Sequence, residues 1–535
     1  MSLDLTIEAV QSRIHAVTET LDRIQDNTGT ASISIGVLHQ GEVIYTRSRG
    51  VRDVDSGQAA DPDTNYLLCS VSKAFTASCC GLLVHEGKLK WNEPMQSYIP
   101  FKNTIDPVIG QRATVQDALS HNTGLAHLDL TWLGVECEYL LKRDDLLDVV
   151  SYLPPVHDLR CGFHYNNYMF AVAGAVITQQ SGQPWYEYLK ERILEPLDLS
   201  RTTTNRTKLP DDNYAAPHVV LDDYSLHKQK PVDMASDDSL MGPAGAVWSC
   251  VTDMMKWAKA LLTAMHSETE TPLKQVSTIV SHKANITTSS IGENTYGLGF
   301  ARATIPSTEL GMISLNGPQR EHVIGRSSQP RLVLYHNGGQ SGYLTSFYLF
   351  PETNSAIVAL GNSYGLGDGP DWTAQALAQA MFDLQPRVDF AEASLAKAKT
   401  EYERYDRLVA EFTQQRDQER AKSEGPHEVP LEDYVGRYHN TGLKMTLAIN
   451  KDTDGTLKLI FNDVPSQQHK LTHFAWDKLG FMPASREELI LREFIDWFKW
   501  DQFVLVFHRE NKSQEVVAVN WAMQVGIEPL RFDKL

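Results

Sequence analysis

Ser70 and Lys73 stand three positions apart at the start of an apolar run that is typical of a buried helix. Positions i and i+3 share one face of a helix, so a lysine amine would lie beside a serine hydroxyl at the positive end of that helix. This setting favours a neutral lysine and a nascent alkoxide, the activation that a serine nucleophile requires. The same spacing recurs at two other pairs, Ser225/Lys228 and Ser394/Lys397. The pair alone therefore does not identify a nucleophile.

Two later polar clusters supply further candidates. In the first cluster, residues 163–168, Tyr165 could serve as a general base if a nearby lysine lowers its pKa, and Asn167 could hydrogen-bond that lysine or a substrate amide. In the second, residues 336–339, a glycine-rich strand end offers a free backbone N–H for an oxyanion hole. Simpler alternatives stay open: Tyr165 and Asn167 could pack against and cap the next helix, and the second cluster could be an ordinary turn.

Other conspicuous side chains have structural interpretations. Three histidines, His121, His127 and His164, are expected to be hydrogen-bonded structural residues, because no metal-type cluster accompanies them. The six cysteines show no zinc-ligand pattern and are expected to be reduced thiols. No metal and no organic cofactor are expected. Four aromatic residues are candidates to line an apolar acyl pocket or to pack in the core: Trp248, Tyr296, Phe300 and Tyr343.

The elements around these clusters suggest an α/β (α+β) fold. β-rich runs lie near residues 31–48 and 332–360, and helical patterns lie between them. This order predicts one mixed sheet assembled from the two ends of the region, flanked by helices and interrupted by a helical subdomain.

The remainder of the chain changes character. A long amphipathic helix is predicted over residues 390–412, and Gly425-Pro426 breaks it. Alternating apolar residues after Leu431 predict a small antiparallel β domain, barrel-like in form. The predicted organisation is therefore a catalytic domain over 1–385, a linker with the long helix over 386–430, and a β domain over 431–535.

Composition narrows the function. The chain has 535 residues and a formal net charge of −18, which argues against nucleic acid or an anionic membrane as a partner. No apolar run is long enough to span a bilayer, and the first residues lack the apolar core of a signal peptide. A cytoplasmic enzyme acting on a small molecule is therefore expected. The oligomeric state stays open.

Taken in order, the three clusters resemble the serine β-lactamase-related family, which includes class C β-lactamases, penicillin-binding D-alanyl carboxypeptidases, esterases and fungal acyltransferases. Flanking stretches resemble family landmarks in family order: Gly50–Asp53, Leu119–Leu125, Gly242–Gly245, Tyr296–Gly299 and Gly342. The resemblance covers about Ile33 to Asp383. The C-terminal β region resembles, more loosely, an accessory domain of some members.

The resemblance implies the following roles: Ser70 as nucleophile, Lys73 and Tyr165 as the acid–base pair, the N–H groups of Ser70 and Gly339 as the oxyanion hole, and Asn167, His336, Asn337 and Gly338 as substrate contacts. His336 lies where lactamases usually carry lysine. A histidine is mostly neutral at pH 7, so it would not attract the carboxylate of a β-lactam. The departure favours esters or amides without that carboxylate.

The sequence therefore predicts a serine hydrolase that acts through an acyl-enzyme on an ester or amide of an intracellular small molecule, a secondary metabolite being one candidate. The first alternative is an acyltransferase, in which an alcohol or amine acceptor replaces water. The second is a catalytically inactive binding or scaffold protein.

Overall fold

A computed structural model describes residues 3–231, 237, 239–286, 293–308, 310–311, 313–317, 323–340, 342–422, 430–494, 497–510 and 514–535. The chain forms two compact units. The first unit comprises Met1–Phe101, Gln111–Gly124 and His157–Tyr402; the second comprises Lys102–Gly110, Leu125–Val156 and Glu403–Leu535. The domain boundaries at 385 and 431 stay a prediction, and the expected break at Gly425-Pro426 lies outside the described residues.

The α-helices, in chain order, are α1 (Ile7–Ala16), α2 (Thr18–Thr28), α3 (Ser72–His85), α4 (Pro107–Arg112), α5 (Val115–Leu119), α6 (Leu146–Val150), α7 (Asn167–Ser181), α8 (Trp185–Leu189), α9 (Gly242–Gly245), α10 (Val251–His266), α11 (Val276–Val280), α12 (Gly369–Met381), α13 (Phe390–Tyr402), α14 (Arg404–Arg420) and α15 (Arg486–Leu491). None of the helices within the described ranges is both long and apolar enough to cross a membrane.

The strands are β1 (Ser32–His39), β2 (Glu42–Asp53), β3 (Gln58–Ala59), β4 (Tyr66–Leu67), β5 (His218–Val220), β6 (Leu226–Lys228), β7 (Trp248–Ser249), β8 (Ala284–Asn285), β9 (Asn294–Tyr296), β10 (Ala301–Ile305), β11 (Arg331–Gln340), β12 (Tyr343–Phe350), β13 (Ser355–Gly361), β14 (Ser363–Tyr364), β15 (Gly436–Asn440), β16 (Met445–Lys451), β17 (Leu457–Phe461), β18 (Gln468–Ala475), β19 (Lys478–Gly480), β20 (Val504–Arg509), β21 (Val516–Trp521) and β22 (Leu530–Lys534).

The main sheet of the first unit combines strands from both ends of that unit. Among the described residues it has nine strands in the order β3-β2-β1-β13-β12-β11-β10-β9-β8, and neighbouring strands are antiparallel. The helices between β4 and β8 in the chain complete the predicted combination of helix and sheet. The predicted α/β fold class, with one sheet assembled from the two ends of the region and flanked by helices, is therefore confirmed.

Every residue of β1 is buried, because helices cover both faces of the sheet. Ile35 and its apolar alternates pack with α1, α2 and α12 in the main core. On the other face Gly36 lies against α10, where an added Cβ would come within 2.7 Å of Val251. These two layers hold β11, β12 and the segment that carries Ser70.

The second unit contains a closed antiparallel barrel of the strands β15 to β22, so the predicted barrel-like domain is confirmed. Apolar residues alternate along its strands, and their inward side chains form a cluster of aromatic rings. Eight strands leave an interior just wide enough for side chains to fill.

The predicted long helix is instead two helices, α13 and α14, separated at Glu403. The interruption coincides with the boundary between the two units. The buried residues of α13 belong to the first unit, whereas Leu408 and Phe412 of α14 belong to the second. A continuous apolar periodicity in the sequence does not show that its two halves pack in different units.

Candidate active site

Ser70 lies in the 3-10 turn Cys69–Val71 that leads directly into α3. Cys69 has a φ of 50°, a left-handed conformation that is costly for a residue with a Cβ atom. Such strain persists only where the surroundings fix the backbone, and it is concentrated at functional sites. Here Thr345 donates a hydrogen bond to the Leu68 carbonyl at 2.9 Å, which fixes the residue before the turn.

The end of β11 lies against this turn at Gly338. A Cβ atom on Gly338 would come within 2.3 Å of both the Leu68 carbonyl oxygen and the Thr345 hydroxyl, so only glycine fits. Gly339, the next residue, is exposed and has room for a Cβ atom, the nearest contact being 3.6 Å away on Leu344. The last β11 residue that pairs with β10 is Tyr335, so the following residues of β11 extend past that neighbour.

Lys73 is in the first turn of α3 and is completely buried. Its Nζ lies 3.0 Å from Ser70 Oγ, 2.9 Å from Asn167 Oδ1 and 3.0 Å from the carbonyl oxygen of Ala244. These three acceptors suffice to take all three hydrogens of an ammonium group, and all three are neutral. The structure thus brings together Ser70, Lys73 and Asn167.

Tyr165 and Asn167 flank the start of α7. The helix is capped by Asn166, whose side chain accepts from the backbone N–H of Met169 at 3.2 Å. The cap is therefore the residue between them, and the Asn167 amide is turned to Lys73. The Tyr165 ring also approaches the amine, with Lys73 Nζ 4.9 Å from the ring centroid.

His336 faces the same side of the sheet as these residues, but it is completely buried. Its Nδ1 donates to the Asn337 carbonyl at 2.6 Å, so its Nε2 is free to accept from the Tyr296 hydroxyl at 2.8 Å. Burial, with the nearby Lys73 charge, lowers the pKa of His336 to about 3, so the imidazole is neutral. Both ring nitrogens are therefore used within the protein.

Asn337 alternates to the opposite face of β11. Its Nδ2 donates to the Ser346 hydroxyl at 2.8 Å and to Asp371 Oδ1 at 3.0 Å, in a buried polar network beside α12. Burial raises the pKa of Asp371, and the neighbouring Asp368 carboxylate adds to this network. The structure does not bring the Asn337 side chain to Ser70, whereas it places Gly338 against the serine turn.

Two groups at the site escaped sequence reasoning. The first is the Ala244 carbonyl, which accepts from Lys73. A backbone acceptor cannot be recognised from the residue type, so the one signal in the sequence was the Gly242–Gly245 stretch around it. This stretch forms α9, and Gly174 of α7 allows α9 to approach, since a Cβ atom on Gly174 would come within 2.2 Å of Pro243. The second is the place of the His121 ring: the sequence identified this residue as a structural histidine, but not that its ring lies against Tyr165 with centroids 4.2 Å apart.

The four aromatic residues considered as pocket lining are all buried: Trp248, Tyr296, Phe300 and Tyr343. Of these, Tyr296 contributes to the wall beside Lys73 through its contact with His336. Within the described residues, no group of three or more His, Cys, Asp or Glu side chains is placed to hold a metal ion.

Comparison with known proteins identifies the family of the chain. The family model described as Beta-lactamase matches residues 17–380. The unguisins hydrolase ungD' of Aspergillus campestris is 23% identical over 499 residues, covering 90% of this chain and 84% of that protein. Protein flp of Staphylococcus aureus strain MW2 is 23% identical over 334 residues, and the unguisins hydrolase ungD of Aspergillus violaceofuscus is 26% identical over 349 residues. Each of these two alignments covers 62% of this chain, and the chain spans 59% and 58% of the two proteins, respectively.

A solved structure has a similar fold. The octameric penicillin-binding protein homologue from Pyrococcus abyssi superposes with a TM-score of 0.57 and 18% identity, over 97% of this chain and 100% of that one. At this identity the likeness shows the fold alone.

Proposed function

Because the chain belongs to the β-lactamase family, we propose that it is a serine hydrolase that cleaves an ester or amide of a small molecule through an acyl-enzyme on Ser70. The observation that carries the proposal is the 3.0 Å contact between Lys73 Nζ and Ser70 Oγ inside a neutral, largely buried setting. Relatives that bear the name of a hydrolase support hydrolysis as the outcome.

The two other Ser-x-x-Lys pairs show what the first pair has that they lack. Lys228 lies 2.8 Å from the Asp53 carboxylate, which raises the pKa of this lysine and keeps it charged. Lys397 likewise lies 2.8 Å from Glu401, and Ser394 donates to a helix carbonyl. In both pairs the lysine is held by a carboxylate, whereas the acceptors around Lys73 are a hydroxyl, an amide and a carbonyl.

In the proposed reaction Lys73 and Tyr165 share the proton. An ammonium whose hydrogens point at three acceptors cannot itself take the serine proton, but its charge stabilises a phenolate on the adjacent tyrosine. Tyr165 then accepts the Ser70 proton as Oγ bonds to the substrate carbonyl carbon, and returns it to the leaving alcohol or amine as the carbon–leaving-group bond breaks. Water repeats the sequence on the acyl-enzyme and releases the acid.

The oxyanion that forms during both steps needs hydrogen-bond donors. We assign these to the backbone N–H groups of Ser70 and Gly339. Support comes from the extension of β11 past β10 at this point and from the close packing of Gly338 on the serine turn. Gly339 is the exposed residue of that segment, so an incoming carbonyl can reach it.

The preferred substrates are neutral in this proposal. His336 carries no charge and is closed off by Tyr296 and Asn337, so it cannot attract a substrate carboxylate. A net charge of −18 provides no general steering of anions. A neutral p-nitrophenyl ester should therefore be hydrolysed more efficiently than nitrocefin, which carries a carboxylate.

The test combines turnover with labelling of the nucleophile. Wild-type protein should hydrolyse p-nitrophenyl esters and become labelled by a fluorophosphonate at Ser70, as identified by peptide mass spectrometry. Ser70→Ala should abolish both signals. Ser225→Ala and Ser394→Ala are matched controls and should behave like the wild type, because their lysines are paired with carboxylates.

Turnover that survives in Ser70→Ala would refute the proposed nucleophile. Absence of both labelling and turnover in folded wild-type protein would favour the inactive binding protein instead. Nitrocefin hydrolysis that matches or exceeds ester hydrolysis would overturn the substrate preference alone.

A further inference from the structure

We propose that His121 is a positioning residue for the reaction: its Nδ1 fixes the backbone of Asn166 and thereby holds Tyr165 and Asn167 on either side of Lys73. This inference rests on the proposed function, since it concerns the geometry of the acid–base pair. It adds a histidine that never touches the reacting atoms to the residues on which turnover depends.

The proposal rests first on one hydrogen bond between His121 and the backbone of Asn166. The backbone N–H of Asn166 donates to His121 Nδ1 at 3.0 Å, across 45 positions of the sequence. Asn166 lies between the two residues that matter, so fixing its peptide group sets the direction of the chain on both sides. The Asn167 side chain then reaches Lys73 at 2.9 Å.

The imidazole also restrains the tyrosine ring directly. The His121 and Tyr165 rings lie 4.2 Å apart with an angle of 32° between their planes. Three further rings surround the imidazole at centroid distances of 5.0 to 5.4 Å, from Tyr296, Phe170 and Phe163. Tyr165 is thereby restrained by a tilted ring contact on the side where His121 lies.

The backbone conformation of His121 is fixed by its neighbours. Its φ is 57°, a left-handed value that is uncommon for residues other than glycine. The strand-like pairing of residues 121–124 with 157–164 imposes this conformation: His164 N–H donates to the His121 carbonyl at 2.8 Å, and Arg160 N–H to the Asn122 carbonyl at 2.9 Å. We call this pairing the neck.

Further contacts fix the neck. The Arg160 guanidinium makes two 2.8 Å hydrogen bonds to the buried Asp117 carboxylate in the first turn of α5. Gly124, with a φ of 80°, allows the two segments to meet, because a Cβ atom there would lie 2.1 Å from the His157 carbonyl oxygen. A conformation that is costly for histidine is therefore enforced by at least three independent contacts.

The imidazole is an acceptor at Nδ1, so in its neutral form the proton is on Nε2. Burial, together with the nearby Lys73 charge, keeps the pKa of His121 well below its usual value. Nε2 is buried and has no hydrogen-bond partner among the described residues. A neutral ring with no acceptor for its only proton is suited to hold geometry and is unsuited to relay protons.

The experiment compares two substitutions that keep different parts of the imidazole. Asparagine can present Oδ1 where Nδ1 lies and tolerates a positive φ, so His121→Asn keeps the acceptor and loses the ring. Phenylalanine keeps the ring and loses the acceptor. Misplaced catalytic groups cost up to about 10²-fold in rate, so we expect kcat on a p-nitrophenyl ester to fall about 10- to 100-fold in His121→Phe and clearly less in His121→Asn.

Two further readouts separate positioning from general stability. In a Tyr165→Phe background, His121→Phe should reduce kcat only slightly further, because residues that act as one unit are not additive. The pH dependence of kcat should keep the same limbs in His121→Asn, since His121 does not titrate in the reaction. All rates are compared well below each variant's thermal midpoint.

Equal losses in the two variants, or a larger loss in His121→Asn, would overturn the proposal, because the Nδ1 acceptor would not then be what matters. Full additivity with Tyr165→Phe would overturn it as well, and so would disappearance of a pH limb. Failure of the proposed function is recognised separately, since Ser70→Ala and wild type would then show the same turnover before any His121 variant is tested.

Discussion

Each of the two units contains a histidine buried among aromatic rings. His121 is enclosed by the rings beside Lys73, and His469 by rings in the barrel interior, from Phe461, Phe481 and Phe494. Burial lowers the pKa of His469 to about 3, with Arg492 adding to the shift, and it lowers the pKa of His121 well below its usual value. In both rings Nε2 has no hydrogen-bond partner within the described ranges.

The two histidines differ in backbone and in neighbours. His469 lies within strand β18, and its Nδ1 is 3.4 Å from the Arg492 guanidinium, a weak contact. His121 has a left-handed backbone, accepts a 3.0 Å hydrogen bond from the Asn166 N–H, and its ring lies 4.2 Å from that of Tyr165. Burial of a neutral imidazole among aromatic rings therefore does not by itself indicate a functional site. The left-handed backbone and the hydrogen bond to the residue next to Tyr165, the proposed base, distinguish His121 from His469.

The largest expected effect comes from removing one tyrosine hydroxyl in each unit and comparing the two variants. Tyr165→Phe keeps the ring and removes the proposed proton acceptor. General acid–base catalysis contributes about 10²–10⁴-fold, so kcat should fall by that order with the thermal midpoint unchanged. Tyr438→Phe is the barrel control. It removes a buried 2.8 Å hydrogen bond to the Tyr434 carbonyl, so it should lower the free energy of unfolding by about 1 kcal/mol and leave kcat unchanged.

Steady-state kinetics and thermal unfolding of the two variants distinguish a loss of kcat from a loss of stability. If the loss of activity in Tyr165→Phe were accompanied by an equal loss of folded protein, the tyrosine would be structural like its barrel counterpart.

A smaller effect concerns glycines that allow close approach. Gly338→Ala would force its Cβ within 2.3 Å of the Leu68 carbonyl, a backbone atom that cannot move without displacing the Ser70 turn. We expect kcat to fall about 100-fold. Gly480→Ala in the barrel meets only the far end of the Phe412 ring at 2.5 Å, so it should cost about 1–3 kcal/mol of stability and no activity.

Kinetics at a temperature where both variants remain folded distinguish the two outcomes. Gly339→Ala tests the steric argument independently: its thermal midpoint should match the wild type, because its nearest contact is 3.6 Å away. Wild-type kcat in Gly338→Ala would show that the serine turn does not depend on this contact.

The smallest expected effect is on acid stability. The pKa of His469 is about 3 in the folded chain and about 6.5 when unfolded, so between these pH values the unfolded chain binds a proton that the folded chain does not. Stability contributed by the neutral ring is thus complete above pH 6.5 and is lost as the pH falls towards 3. His469→Phe removes this proton uptake.

Acid titrations followed by tryptophan fluorescence should therefore show a lower unfolding midpoint pH for His469→Phe than for wild type, with kcat near pH 7.5 unaffected. An unchanged midpoint would mean that other buried groups, His336 among them, determine the acid limit.

Sequence reasoning captured what depends on local spacing. The i, i+3 relation of Ser70 and Lys73 brings the lysine amine within 3.0 Å of the serine hydroxyl, with Ser70 in the turn that leads into α3. The barrel followed from period-two alternation after Leu431. In each case the signal comes from residues a few positions apart in the chain.

What could not be predicted depends on contacts between distant segments. No local sequence pattern shows that the Ala244 carbonyl accepts from Lys73, 171 positions away. Nor does any show that both ring nitrogens of His336 are hydrogen-bonded, to Tyr296 and to the Asn337 carbonyl. The sequence also placed Asn337 among the substrate contacts, because a neighbour along the chain is easily mistaken for a neighbour in space. Alternation along β11 turns its side chain away from the serine.

The route of the chain through the neck bears on how such proteins recombine. Residues 125–156 leave the first unit at Gly124, return at His157, and belong to the same compact unit as the barrel. Gln467 exchanges two 2.9 Å hydrogen bonds with the backbone of Val135, and Lys444 pairs with Asp145 at 2.9 Å. A chimaera that exchanged only residues 403–535 with a relative would separate these partners. Residues 102–110 also belong to this unit, so exchange of the whole unit requires five crossovers rather than one, the four additional crossovers lying at the ends of 102–110 and of 125–156.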